Sequence, residues 1–338
     1  MSGAPKVAPK VALLGVGRMG QVHGRGAAAN PRLDLVSVVD TKPEVAEAMA
    51  AELGCAVGTV EGVLADPAIA AVLVATSTST HLDLVLAALA AGKAVFCEKP
   101  LDLDLARLRA HAAALAHPAQ PLYVAFNKRF DPHYGALKAR LDAGEIGALE
   151  TLHLISHDPT PPPPAFIPTS GGLFRDFTIH DFDMARWLLD EEPAELFAWA
   201  SCLVDPAVAA AGDVDTARHI LTCASGKLCV ISNTRRSGYG YDQRAEAYGS
   251  KGAAFAANPR QTTAETWTAA GALAASIYPG FQTRYATSYA AELDHFASVL
   301  AGEAEPLTGY AASLGALALA EAAARSVATG APVRLADV

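Results

Sequence analysis

Four short stretches of this chain carry side chains that could do chemistry. The first is Gly15-Val16-Gly17-Arg18-Met19-Gly20, a GxGxxG run directly after the apolar segment Lys10 to Leu14. In such a run the first glycine permits a tight turn, the second lets the backbone approach a pyrophosphate, and the third allows close helix–strand contact. A helix opening there points its unpaired amides at phosphate oxygens. A second apolar run, Leu33 to Val39, ends on Asp40, twenty residues beyond Gly20, where a dinucleotide fingerprint has its acid. A carboxylate at that point binds ribose hydroxyls and repels a 2′-phosphate, so NAD is expected in preference to NADP. Lys42, close by, leaves some room for NADP. The second stretch is Ala75-Thr76-Ser77-Thr78-Ser79-Thr80-His81, which follows a third apolar run. Its hydroxyls either line the nicotinamide half of a site or cap a helix. The expected nucleotide contacts are therefore Gly15, Gly17, Arg18, Met19, Gly20, Asp40, Thr76, Ser77, Thr78 and His81, with Glu98 and Lys99.

Glu98-Lys99-Pro100, the third stretch, closes a fourth apolar run at Ala94 to Cys97. It falls at the carboxyl edge of a sheet, where open α/β folds bind ligands. A lysine there can donate to an oxygen that gains negative charge. The fourth stretch, Gly171 to Asp183, carries Asp176 and His180 at i, i+4. Both face one way if the helix begins early enough; the alternative makes Asp176 a helix N-cap. A neutral histidine can take the proton of a hydroxyl while hydride leaves its carbon. An aspartate can hold the imidazole and stabilise the imidazolium. Lys99, Asp176 and His180 are the candidate catalytic residues.

These residues need elements to position them. Up to residue 125 the chain alternates apolar runs with helical stretches: Gly20 to Ala29, Pro43 to Leu53, His81 to Ala91 and Asp104 to Leu115 between runs ending with Leu122 to Ala125. Strands apolar throughout, alternating with helices, predict a doubly wound parallel sheet covered on both faces. From 126 the pattern changes to longer strands, Leu149 to Ser156, Leu196 to Leu203, Ala217 to Cys223, Lys227 to Asn233 and Arg244 to Tyr248. They predict an open, mostly antiparallel sheet, interrupted by a helix at Ile179 to Leu189. The expectation is two domains, 1–125 and 126–338, with the closing helices near Ala311 to Thr329 packing back on the first. Thr160-Pro-Pro-Pro-Pro164 predicts a stiff extended loop, either a spacer or a rim of the site.

Composition excludes other classes. Apolar residues are 51% and charged residues 18%, as in a folded globular chain. The net charge of −9 and the absence of a Lys/Arg run argue against nucleic acid or an anionic membrane as partner. The five cysteines are scattered without CxxC or metal-ligand spacing, which predicts free thiols, no metal and a reducing compartment. The N-terminal MSGAPKVAPK predicts a short arm and not a signal peptide, and the expected location is cytoplasmic.

The blocks GVGRMGQVHG, CEKP, NKRFDP (127–132), GGLFRDFTIHDFDMARWL and YGYDQRAEAYGSKG (239–252) resemble, in order, those of the Gfo/Idh/MocA oxidoreductases, and among them the inositol dehydrogenases. The resemblance covers nearly the whole chain. It implies a Rossmann domain, a second α/β domain whose sheet mediates dimers or tetramers, and NAD-dependent oxidation of a secondary alcohol on a cyclitol ring. It also implies that Lys99 contacts the reacting hydroxyl and that Asp176 and His180 supply the acid and the histidine. A polyol needs many polar contacts, for which Arg129, Asp158, Asp183 and Tyr239 are candidates beside these three; each has an equal reading as a surface or core residue. Asp242 to Arg244 reads instead as a structural network. The rivals are oxidation of a pyranose, an NAD-dependent glycoside hydrolase, and a non-catalytic NAD-binding regulator, against which the presence of Lys99 and His180 argues.

Overall fold

A computed structural model of the chain describes residues 8–338; residues 1–7 of the expected N-terminal arm lie outside them. The chain forms two compact units. One comprises the chain up to Asn127 together with Ser288–Leu314, and the other Lys128–Thr287 with Gly315–Val338.

The first unit is built on a six-stranded sheet in the order β3-β2-β1-β4-β5-β6. Its strands are β1 (Lys10–Leu14), β2 (Asp34–Val39), β3 (Ala56–Val57), β4 (Ile69–Val74), β5 (Ala94–Glu98) and β6 (Leu122–Ala125). All pairings are parallel. Residues on both faces of β1, β4 and β5 are buried, which explains their continuous apolar composition. The order reverses between β1 and β4, and α1 (Arg18–Ala29) follows β1 there. Two elements have no sequence signature: the two-residue β3 and the short helix Val60–Ala65, begun by Thr59, whose hydroxyl accepts from the Gly62 amide at 3.0 Å. The helix expected over Asp104 to Leu115 breaks at His111 into Leu105–Ala110 and Ala112–Leu115.

The segment returning to this unit differs from expectation. Most of the helix Ala286–Leu300 belongs here, whereas the helix Tyr310–Thr329 contributes residues only up to Leu314. The reason is the apolar face of the earlier helix. Phe296 packs against Phe96 and Tyr123, with ring centroids 5.4 and 5.7 Å apart. Leu293 is fully buried and lies over Gly26, where a Cβ would come within 2.6 Å of it.

The second unit holds a seven-stranded sheet, β12-β11-β7-β10-β9-β8-β15. The strands are β7 (Leu149–His157), β8 (Pro193–Ser201), β9 (Thr216–Cys223), β10 (Leu228–Thr234), β11 (Asp242–Gly249), β12 (Gly252–Ala256) and β15 (Val333–Arg334). Only β10 and β7 pair in parallel. A separate hairpin joins β13 (Glu265–Thr268) to β14 (Gly271–Ala274). One face of the large sheet buries Leu152, Leu154, Leu221, Ile231 and Ala245 beside α2 (Ile179–Leu189). Register places Phe197, Ile220, Val230, His153, Glu246 and Phe255 in one row on the other face. The helix Tyr310–Thr329 has the length and apolar composition to cross a membrane, with a mean hydropathy of 1.2, but half of that stretch is buried in protein.

Candidate active site

In the first unit the glycine loop has the form its sequence requires. Gly15 has φ +89°, and a Cβ there would meet the backbone of Ala75 and Thr76 at 2.7 Å. At Gly20 a Cβ would lie 2.0 Å from the Gly15 carbonyl oxygen. Gly17 is different: nothing lies within 4 Å of an added Cβ, so the space above it is open to a ligand. α1 starts at the next residue, and its N-cap, Gly17, has no side chain with which to cap the first amides. Asp40 is turned toward this loop, with Oδ2 accepting from the Val16 amide at 2.8 Å and Oδ1 from the Lys42 amide at 2.9 Å. A carboxylate has lone pairs to spare after two such bonds. An open glycine, uncapped amides and an aimed carboxylate together fit a dinucleotide.

The hydroxyl-rich loop after β4 is tied internally. Thr76 and Thr80 hydroxyls are 2.7 Å apart, and Thr80 also donates to the Ser77 carbonyl at 2.8 Å. Neither Ser77 nor Thr80 makes a side-chain cap bond, so the helix-cap reading of this loop is not what the structure has. Ser77 is exposed and Thr78 half-buried. His81 and Glu98, expected beside the nucleotide, are both buried and engaged. His81 Nδ1 donates to the Pro100 carbonyl at 2.8 Å, and Nε2 faces the Thr76 carbonyl at 3.2 Å. Burial pushes its pKa below that of free histidine. Glu98 accepts from His23 Nε2 at 2.6 Å and from the Lys99 amide at 3.1 Å. Burial favours the neutral form of Glu98, but His23, Lys99 and His81 together outweigh it and its pKa falls. Both side chains are thus engaged with the protein, His81 with two carbonyls and Glu98 with the His23 ring and the Lys99 amide. Lys99 itself is half-buried.

In the second unit, Asp176 lies within a π-helical stretch, Leu173–Thr178, that runs directly into α2. Gly172, not Asp176, stands at its cap, so the N-cap alternative falls away. Such π turns are frequent at functional sites. Asp176 Oδ2 accepts from Arg235 Nη2 at 3.0 Å, and Arg235 Nη1 donates to Asp158 Oδ2 at 2.8 Å. The Arg235 guanidinium also lies 4.7 Å over the Phe177 ring. Burial would lower its pKa, but the two carboxylates raise it, so Arg235 keeps its charge. Asp158 is affected the opposite way: burial raises its pKa despite Arg235.

The far side of α2 is held by a buried network. Lys128 Nζ donates to Asp181 Oδ1 at 2.7 Å, Asn233 Nδ2 to Asp181 Oδ2 at 2.8 Å, and Thr178 Oγ1 to Asn233 Oδ1 at 3.0 Å. Arg129 makes a two-pronged pair with Asp183, Nε to Oδ2 at 2.8 Å and Nη2 to Oδ1 at 2.6 Å. Arg129 and Asp183, both substrate candidates on sequence, are thus partners of each other. Tyr239 remains exposed and donates to Asp242 at 2.6 Å. It borders a cavity of about 390 Å³ lined also by Asp242, Arg244, Asn258, Arg260 and Ile277. Asp242 additionally accepts from Arg244 Nε at 2.8 Å, the structural network that its triplet suggested. Sequence reasoning missed Arg235 altogether. It sits in the Thr234-Arg235-Arg236 run just before the block beginning at Tyr239, where two adjacent arginines ending a strand were the available signal.

Residues 9–126 match the oxidoreductase family with an NAD-binding Rossmann fold, and residues 134–255 match the GFO/IDH/MocA C-terminal domain. The chain belongs to the Gfo/Idh/MocA oxidoreductase family. It is 47% identical to an inositol 2-dehydrogenase of Rhizobium meliloti, over 94% of this chain and 96% of that protein. It is 40% identical to a myo-inositol 2-dehydrogenase of Thermotoga maritima, over 97% and 99%. The crystal structure of a myo-inositol dehydrogenase from Corynebacterium glutamicum superposes with a TM-score of 0.92 at 38% identity, covering 97% of this chain and 99% of that one. As a Gfo/Idh/MocA member the chain is an NAD-dependent oxidoreductase, and the loop around Gly15, Gly17 and Asp40 lies within the matched NAD-binding region.

Proposed function

We propose that this chain oxidises a secondary ring alcohol of inositol, myo- or scyllo-, to the keto-inositol with NAD as hydride acceptor. The observation that carries this is likeness over 94% and 97% of the chain to two inositol 2-dehydrogenases. Gly15, Gly17, Gly20, the amides of Arg18 and Met19, and Asp40 hold the cofactor, which supplies the redox chemistry once bound. Thr76, Ser77 and Thr78 border its nicotinamide half.

His180 takes the proton of the reacting hydroxyl. Lys99 donates to the oxygen as it gains negative charge, an electrostatic contribution that is larger in the transition state than in the ground state. Asp176, fixed by Arg235, presents its remaining lone pairs to the imidazole or to a neighbouring hydroxyl. Asp158 and Tyr239 are the outer polar contacts. Exposed Trp199, Ile220 and Phe255 on the open sheet face support a homotetramer assembled through that face. Five free cysteines support a reducing, cytoplasmic setting.

The test is NADH formation, followed by absorbance, against myo-inositol, scyllo-inositol and common hexoses. Turnover of an inositol above any hexose is expected. A hexose turned over in preference would move the reading to the pyranose dehydrogenases of the family, and no NADH with any polyol would overturn it.

A further inference from the structure

We propose that His23, through Glu98, is a positioning residue for Lys99, linking the helix of the glycine loop to the lysine. The inference rests on the reading of Lys99 as the group that meets the reacting oxygen. His23 lies in the second turn of α1 and is fully buried. Its ring is wedged edge-on between Phe96 and Tyr289, at centroid distances of 4.9 and 5.9 Å, so it has one place to be. From there its Nε2 holds Glu98 Oε1 at 2.6 Å, and the other carboxylate oxygen takes the Lys99 amide at 3.1 Å. The next two residues are held likewise: the Pro100 carbonyl by His81 at 2.8 Å, and the Leu101 amide by Ser313 Oγ at 3.3 Å. Three consecutive backbone positions are thus fixed by side chains from separate elements.

Stability alone does not account for this arrangement. A buried polar or ionic pair is weak evidence for stability, since well-packed apolar residues in its place are often neutral or stabilising. His23 sits against the rings of Phe96 and Tyr289, and Phe96 against Phe296, so its surroundings are otherwise apolar rings. A second buried acid in the same layer, Glu292, has neither oxygen hydrogen-bonded among the described residues. Burial, reinforced by Glu98, pushes its pKa well above the usual carboxylate range. What the pair supplies is direction: it sets the backbone from which Lys99 projects. A displacement of about 1 Å at such a point can cost on the order of 10²-fold in rate.

The experiment is steady-state kinetics of the full chain with NAD and myo-inositol, with NAD affinity measured separately by calorimetry. His23→Leu, which cannot hold Glu98, should lower kcat by about 10²-fold and leave NAD affinity within about threefold. His23→Gln, which keeps a donor, should recover most of kcat, whereas a purely structural role would show itself in thermal stability without this rescue. In a Lys99→Ala background His23→Leu should have no further effect on kcat. Should His23→Leu not fold, His23→Asn, polar but too short to reach Glu98, must show the same kcat loss. Normal kcat in a folded His23→Leu or His23→Asn, or an equal loss with and without Lys99, overturns the proposal. Wild-type kcat in Lys99→Ala would instead overturn the reading of Lys99, and failure of the unaltered enzyme to form NADH would overturn both.

Discussion

The two units position their candidate residues by different means. In the first, the ligand-facing groups are largely backbone: Gly15 at φ +89°, the open face of Gly17 and the uncapped amides of α1. In the second, they are side chains held by buried ions: Arg235 with Asp158 and Asp176, Lys128 with Asp181, Arg129 with Asp183. A backbone site tolerates side-chain change wherever the turn survives. A site held by buried ions is sensitive at every partner, because removing one leaves the other charge unpaired.

The largest expected effect falls on the chemistry of the second unit. His180→Ala should lose about 10²- to 10⁴-fold in kcat/KM for alcohol oxidation. NAD affinity, measured by calorimetry, should stay unchanged, because the glycine loop belongs to the other unit. Near-normal turnover in this variant would move the base to Lys99 or Asp176.

Arg235→Met tests whether buried ions carry the second site. It strands Asp158 and Asp176, and should cost about 3–5 kcal/mol of stability in urea unfolding, together with most activity. A variant as stable as the parent would mean that water replaces the guanidinium, and the contrast between the units would weaken.

His219 gives the comparison a pH dependence. Its ring packs edge-on against Phe174 and Phe182, and burial lowers its pKa from 6.5 to about 4. As pH falls from about 6.5 to 4, the unfolded chain gains a proton that the folded chain refuses. Stability is therefore complete above 6.5 and lost toward 4, by up to about 3 kcal/mol. His219→Leu should flatten this slope in unfolding experiments between those limits. An unchanged slope would assign the acid sensitivity to other groups.

The smallest effect is expected at the backbone-built site. Asp40→Ser should lower kcat/KM with NAD on the order of tenfold, the equivalent of one hydrogen bond to a charged group, and improve NADP. Preference for NADP in the unaltered enzyme would contradict the role given to Asp40.

The same difference governs what could be read in advance. GxGxxG with Asp40 was legible because two of its glycines answer a local steric demand: at Gly15 and Gly20 any Cβ collides with backbone. Lys99, Asp176 and His180 stand out as candidates through the blocks around them. Arg129 and Asp183 had two equal readings in the sequence, because a charged side chain there does not say whether it meets a substrate or another charge; the structure pairs them with each other. Arg235 was overlooked because it is 59 residues from Asp176 and meets it only once β10 is in register beside β7. The inward partners of His81 and Glu98, the Pro100 carbonyl and the His23 ring, are 19 and 75 residues away and leave no local trace in the sequence.

Alternation of strand and helix, the apolar character of the parallel strands, the glycine loop and Asp40 followed from the sequence by itself. They depend on contacts between neighbours or on steric limits at single residues. The choice of returning helix was left to tertiary structure. Ala286–Leu300 and Tyr310–Thr329 are both apolar enough to be buried, and only the fit of Leu293 and Phe296 against Gly26, Phe96 and Tyr123 separates them. Tertiary structure also decided which charges are paired. An ion pair forms where two distant segments bring opposite charges together away from water, and neither segment carries a local record of the other.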